Sequence, residues 1–138
     1  MKELLAALLI WLSANTYFNT DHDYPVVVFL PQEQLNEMYY QSGEHGSNKS
    51  LHGMYDNDTI YLPDTWDRRL PWDQSVLLHE VMHYLQDKNN MQFACVAEME
   101  RDVWPIQKHY LKTQHNIDWN YDELWYKVIS TCGDVLTY

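Results

Sequence analysis

Hydrophobic and polar positions divide the chain into short elements. Residues 4–12, LLAALLIWL, are apolar throughout and are followed by Ser13, Asn15 and Thr16. The run is too short to span a bilayer. Its length suits a signal-peptide core, but Glu3 spoils the basic start and no small-x-small cleavage site follows. It is read as a buried first helix from about Lys2 to Ser13 or Ala14. Pro25 to Leu30 is rich in β-branched residues and predicts a buried strand. Pro31 opens a helix over 32–40, with Leu35, Met38 and Tyr39 inward. Residues 42–52 read as a polar loop, with His45 and His52 solvated. Residues 53–55 and 59–62 flank Asp56-Asn57-Asp58 and predict a hairpin.

After a Pro-bounded loop at 63–72, Leu78, Val81, Met82 and Leu85 recur at helical spacing. They predict a helix over about 73–87, capped by Asp73 and stopped by Asn89-Asn90. A second long helix, about 94–113, carries the inward stripe Val96, Met99, Val103, Ile106 and Tyr110. Pro105 should kink or split it. Asn120-Tyr121-Asp122-Glu123 starts a last helix that runs to about Cys132, before Gly133. No repeat, linker or low-complexity segment appears. The expectation is one α+β domain over 1–138, with a small, mostly antiparallel sheet and about five helices.

Composition narrows the function classes. The 138 residues are 46% hydrophobic and 21% charged, which places the chain among globular domains. The net charge of −11 disfavours a nucleic-acid partner, because phosphate binding needs clustered cations. Six Trp and eleven Tyr suit a core of large plates or an aromatic-walled groove. Cys95 and Cys132 can form one bridge or remain two small thiols. The reading leans to free thiols, and with them to a cytoplasmic chain.

The candidate chemistry lies in the helix over 73–87. His79-Glu80-Val81-Met82-His83 reads H-E-x-x-H. Residues four apart share a helix face, so both imidazoles can point at one ion. Glu80, beside them, can reach a water on that ion rather than the ion itself. Such a pair binds Zn2+, with the Glu as general base. A catalytic zinc site needs a third protein ligand. A metzincin would place Gly and His where this chain has Gln86 and Asn89. A Glu from the following helix remains, either Glu100 or Glu98. Glu100 is preferred, because it lies four after Val96 and three before Val103, beside the inward stripe.

On these residues the chain resembles the gluzincin-type zinc metallopeptidases, a branch of the zincins, and in particular small ones of bacteria and phages. The resemblance covers about residues 53–111. Glu100-Arg101-Asp102-Val103-Trp104 matches the frame of their ligand helix, with Val103 in its small apolar place. Glu98 has Asp102 four residues later, where some gluzincins place an Asp that orients a ligand His, but Arg101 then fills the small place. The resemblance implies a zincin-like domain whose HExxH helix packs on a Glu-bearing helix. It implies peptide-bond hydrolysis by a zinc-bound water that Glu80 activates, acting on a peptide or protein. It also implies an added-strand mode of substrate binding, for which Thr59, Ile60 and Tyr61 look like the receiving strand. An oxyanion donor is still required; Tyr84, His109, Tyr110, His115 and Tyr126 are the candidates. The competing expectations are a catalytically inactive zincin-like zinc-binding module and an accessory or phage structural protein. A fourth protein ligand, from His52, His109 or Cys95, would favour the former.

Overall fold

The computed structural model describes residues 1–41 and 51–133. Along the chain run α1 (Lys2–Asn15), β1 (Val26–Leu30), α2 (Gln32–Gln41), β2 (Met54–Asp56) and β3 (Thr59–Pro63). There follow α3 (Pro71–Lys88), a 3-10 turn (Val96–Met99), α4 (Glu100–His115) and α5 (Glu123–Ile129). Among the described residues, five helices and one three-stranded sheet make an α+β fold, as the pattern implied. Residues 42–50, including His45, lie outside the described residues.

The strand order is β1-β3-β2. β2 and β3 form the expected hairpin, and Asn57 (φ 46) and Asp58 (φ 65) supply the left-handed turn. β1 joins β3 in parallel, with α2 and the first strand of the hairpin lying between them in the chain. The sheet is therefore mixed, where a mostly antiparallel one was expected. β3 is its central strand. Thr59, Ile60 and Tyr61 are paired on one side to Val26, Val27 and Val28, and on the other to Asp56, Tyr55 and Met54. With both edges of these residues paired, the expectation that they receive a substrate strand is incorrect. The edge next to α3 belongs to β2 instead.

α3 runs through the middle of the core. It packs against β2, β3 and α4. Leu5, Leu8, Leu9 and Leu12 of α1, Ile60 and Leu62 of β3, and Val103 and Tyr110 of α4 complete one buried cluster with it. Leu78, Val81, Met82 and Leu85 are fully buried, but so are Leu77 and Gln86 on other faces. The helix is covered nearly all round, rather than along one stripe. It begins earlier than expected: Pro71 takes the first turn, where its missing N–H costs nothing, and Leu70 is the N-cap. Asp73 does not cap; its carboxylate accepts from the Asp67 amide at 2.8 Å.

α4 departs from expectation in where it begins and in remaining one helix across Pro105. It starts at Glu100, since residues before it are held in an irregular segment and one 3-10 turn. Glu98 Oε2 accepts from the Ala94 amide there at 2.6 Å. Pro105 does not split the helix, which continues to His115. A proline deprives the carbonyl four residues earlier of its donor. That carbonyl belongs to Arg101, and the Tyr126 hydroxyl of α5 donates to it. Cys95 and Cys132 form a disulfide, contrary to the lean toward free thiols, and tie the segment before α4 to the chain just after α5.

Candidate metal centre

Three side chains from two helices converge. His79 and His83 stand one turn apart on α3, and Glu100 is the first residue of α4. His79 Nε2 lies 3.1 Å from Glu100 Oε2, and His83 Nε2 lies 3.0 Å from Glu100 Oε1. The two Nε2 atoms are 3.2 Å apart. Tetrahedral ligands of zinc at about 2.0–2.1 Å stand about 3.3 Å from one another. The donor set thus fits a zinc-sized ion in both chemistry and spacing. His83 is nearly covered, with 9% of its side chain exposed, whereas His79 and Glu100 retain 17% and 26%. The cluster opens to solvent on the His79–Glu100 side.

Glu80 is buried at 6% exposure, and it offers a carboxylate oxygen within 4.8 Å of the ligand atoms of both histidines. Glu80 could thus itself complete a three-donor group with them. Glu100 makes the tighter triangle, because each of its oxygens already touches one ring nitrogen. Gly53, at the entry to β2, lies against Glu80. A Cβ there would come within 3.2 Å of Glu80 Oε2 and Cγ and of Val76 Cγ1. Glu98 is not part of the cluster. Besides capping Ala94, it pairs with Arg101 at 3.4 Å.

A family model described as a domain of unknown function, DUF6647, matches residues 1–134. The chain belongs to the DUF6647 family. No curated protein and no solved structure matches it significantly.

Electrostatics bind the triangle together when no ion is present. Burial alone would lower the His79 pKa, but the Glu100 charge and hydrogen bond outweigh it and hold it up at about 9. His83 is raised against the same burial penalty by the same carboxylate. Burial would raise Glu100, yet the two imidazoles hold it well below the usual carboxylate range.

The other polar contacts of these side chains were not anticipated from the sequence. His79 Nδ1 meets Gln107 Oε1 at 2.8 Å, and His83 Nδ1 meets Gln86 Oε1 at 2.9 Å. Trp104 Nε1 donates to Glu100 Oε2 at 3.1 Å. Trp104 also belongs to a chain of ring contacts through Trp119 to Trp72 and on to His52, the neighbour of Gly53. The DUF6647 domain thus flanks the cluster with an aromatic wall that is partly exposed.

None of the expected oxyanion donors is aimed at the triangle. The Tyr84 hydroxyl donates to the Asp23 carbonyl, and Tyr126 serves Arg101. Tyr110 donates to Gln74 Oε1 at 3.0 Å, and His115 meets the same oxygen at 3.0 Å. His109 is exposed on α4 and stacks on Trp11, 5.8 Å between centroids. Among the described residues, no helix is long and apolar enough to cross a membrane.

Proposed function

We propose that this domain is a zinc-dependent metallopeptidase of the gluzincin type, acting on a peptide or protein. One observation carries the reading: both Nε2 atoms and the Glu100 carboxylate meet within 3.0–3.2 Å, with Glu80 buried beside them. His79, His83 and Glu100 would hold the ion, and the partial exposure of His79 and Glu100 leaves an approach for water and substrate. When bound, zinc supplies a Lewis acid that polarises a carbonyl and makes water acidic enough to attack near neutral pH. Glu80 accepts the proton of the attacking water and returns it to the leaving amine. Its burial keeps that carboxylate close to the reacting atoms and away from bulk solvent. The strand that would receive an extended substrate is β2, the sheet edge beside α3, and no longer Thr59, Ile60 and Tyr61.

The test begins with elemental analysis of protein purified without added metal. One zinc per chain is expected in the wild type, lost in His79→Ala and Glu100→Ala and kept in Glu98→Ala. Glu80→Gln should keep its zinc and lose hydrolysis of a denatured protein substrate by at least about 100-fold. Absence of zinc, even after dialysis against it, would end the enzyme reading.

A second reading, a zinc-binding module without catalysis, draws on the engaged hydroxyls of Tyr84, Tyr110 and Tyr126. Full zinc occupancy with no difference between wild type and Glu80→Gln against any peptide would favour it.

A further inference from the structure

The two glutamines behind the histidines do more than fill space. Gln86 is 1% exposed and Gln107 is 3% exposed, so neither amide exchanges its partners for water. Each sits at a polar position in an otherwise buried helix face. Leu85 precedes Gln86 on α3, and Val103, Tyr110 and Leu111 flank Gln107 on the inward side of α4.

The orientation of both amides follows from what lies behind them. Gln86 Nε2 donates to the Met99 carbonyl at 2.9 Å. A carbonyl can only accept, so the NH2 group must face Met99 and Oε1 must face His83. Gln107 is anchored one step further back. The Ser75 hydroxyl donates to the Trp72 carbonyl at 2.7 Å, which leaves its oxygen to accept from Gln107 Nε2 at 3.1 Å. Oε1 of Gln107 must then face His79. Two backbone carbonyls, Met99 and Trp72, thus determine the direction of both hydrogen-bond chains. An amide oxygen opposite Nδ1 requires a proton on that nitrogen. The proton on Nδ1 leaves Nε2 of each neutral ring as the lone-pair donor, and the two Nε2 atoms are the ones that meet Glu100.

We propose that Gln86 and Gln107 are positioning residues that lock His83 and His79 in the Nδ1–H tautomer and so present both Nε2 lone pairs to a metal ion. This rests on the metal reading above for its purpose, but the tautomer lock itself does not require the ion. It also connects the site to the packing of the two helices. Gln86 reaches from α3 to the residue before α4, and Gln107 reaches from α4 back to Ser75 on α3. The same side chains that orient the rings set the separation of the helices that carry the three donors.

The test uses two substitutions at each position. Gln86→Met and Gln107→Met keep the side-chain length and remove the acceptor, whereas Gln86→Glu and Gln107→Glu keep an acceptor. Zinc affinity is measured on the full chain by competition with a chromophoric chelator, with circular dichroism to confirm folding. Each Met variant should bind zinc about 10- to 100-fold more weakly, the usual effect of losing the outer partner of a ligand histidine. Each Glu variant should bind within about threefold of the wild type or more tightly. Met variants that match the wild type, or Glu variants as weak as the Met variants, would overturn the proposal. Proton–nitrogen spectra of the metal-free protein, with labelled histidine, keep the two failures apart. Recorded at alkaline pH, where the rings are neutral, the wild type should show a protonated Nδ1 and a bare Nε2 on His79 and His83, and the Met variants should lose that preference at the corresponding ring. If the wild type takes up no zinc but its neutral rings show this tautomer, the metal reading fails and the lock stands. If the neutral rings carry the proton on Nε2, or on both nitrogens in mixture, the lock fails whatever the zinc content.

Discussion

His79, His83 and Glu100 form a closed electrostatic unit in the metal-free protein, and the shifts set its pH behaviour. His79 is raised from the ordinary value of 6.5 to about 9, so the folded state holds its proton more tightly than the unfolded chain does. Below pH 6.5 both states are protonated and the stabilisation is fully present. Between pH 6.5 and about 9 only the folded state keeps the proton, and the stabilisation is lost as the pH rises. Glu100 works in the opposite sense: it stabilises above its unfolded pKa and loses that contribution as the pH falls through its depressed folded value. The urea midpoint of the metal-free protein should therefore decline from pH 6.5 to 9 and again under acid. A midpoint that is flat from pH 6.5 to 9 would show that the pair does not form. Gly53 gives a second test at this scale. In Gly53→Ala the new methyl presses on Glu80 and Val76 at 3.2 Å, and it can be relieved only by moving the carboxylate or the strand. On the proposed peptidase reading, zinc content should be unchanged while peptide hydrolysis falls about tenfold, as misplacement of the proposed general base would require.

α4 shows how one element tolerates a residue that its pattern opposes. Pro105 removes the donor for the Arg101 carbonyl, and the Tyr126 hydroxyl replaces it from α5. The helix continues past Pro105, with Glu100 at its start and Gln107 two turns later. Tyr126→Phe should lower stability by about 0.5–1 kcal/mol, because it removes the hydroxyl that serves the Arg101 carbonyl while keeping the ring and leaving that carbonyl open to water. The cost should shrink when Pro105→Ala is added, since residue 105 then supplies its own amide. Chemical denaturation of the two single variants and the double variant measures this coupling. Additive effects would show that the Tyr126 hydroxyl has no link to the proline.

At the scale of the molecule, the two helices that carry His79, His83 and Glu100 share one core, and the C-terminal part of the fold is fastened to it covalently. The disulfide closes a loop across a sequence separation of 37. In the chain-entropy account such a loop is worth about 4 kcal/mol. Reduction should therefore lower the thermal midpoint markedly, and it should loosen the segment that leads into Glu100. A thermal melt with and without reductant measures the first effect. If zinc affinity is also unchanged on reduction, the bridge supports the fold alone.

Much of this was legible along the chain. The apolar run of α1, the turn residues of the hairpin and the i, i+4 spacing of His79 and His83 are local features, and local backbone geometry turns them directly into structure. Glu100 could be preferred over Glu98 for the same reason, since helical spacing placed it beside a buried stripe. Other features depend on which elements become neighbours. β3 became a central strand only because β1 pairs along its far edge, and no pattern within residues 59–63 records that. Tyr126 read as a possible oxyanion donor until α5 brought it to an orphaned carbonyl. The bridge between Cys95 and Cys132 required two distant segments to meet. Gln86 and Gln107 left a faint trace as polar residues at inward helical positions, but their partners lie across the helix pair. The sequence by itself determined the helix that carries the two histidines and the acid beside them. The tertiary structure decided what closes the triangle, what stands behind each ring and which strands lie at the sheet edges, because these are contacts between residues far apart in the chain.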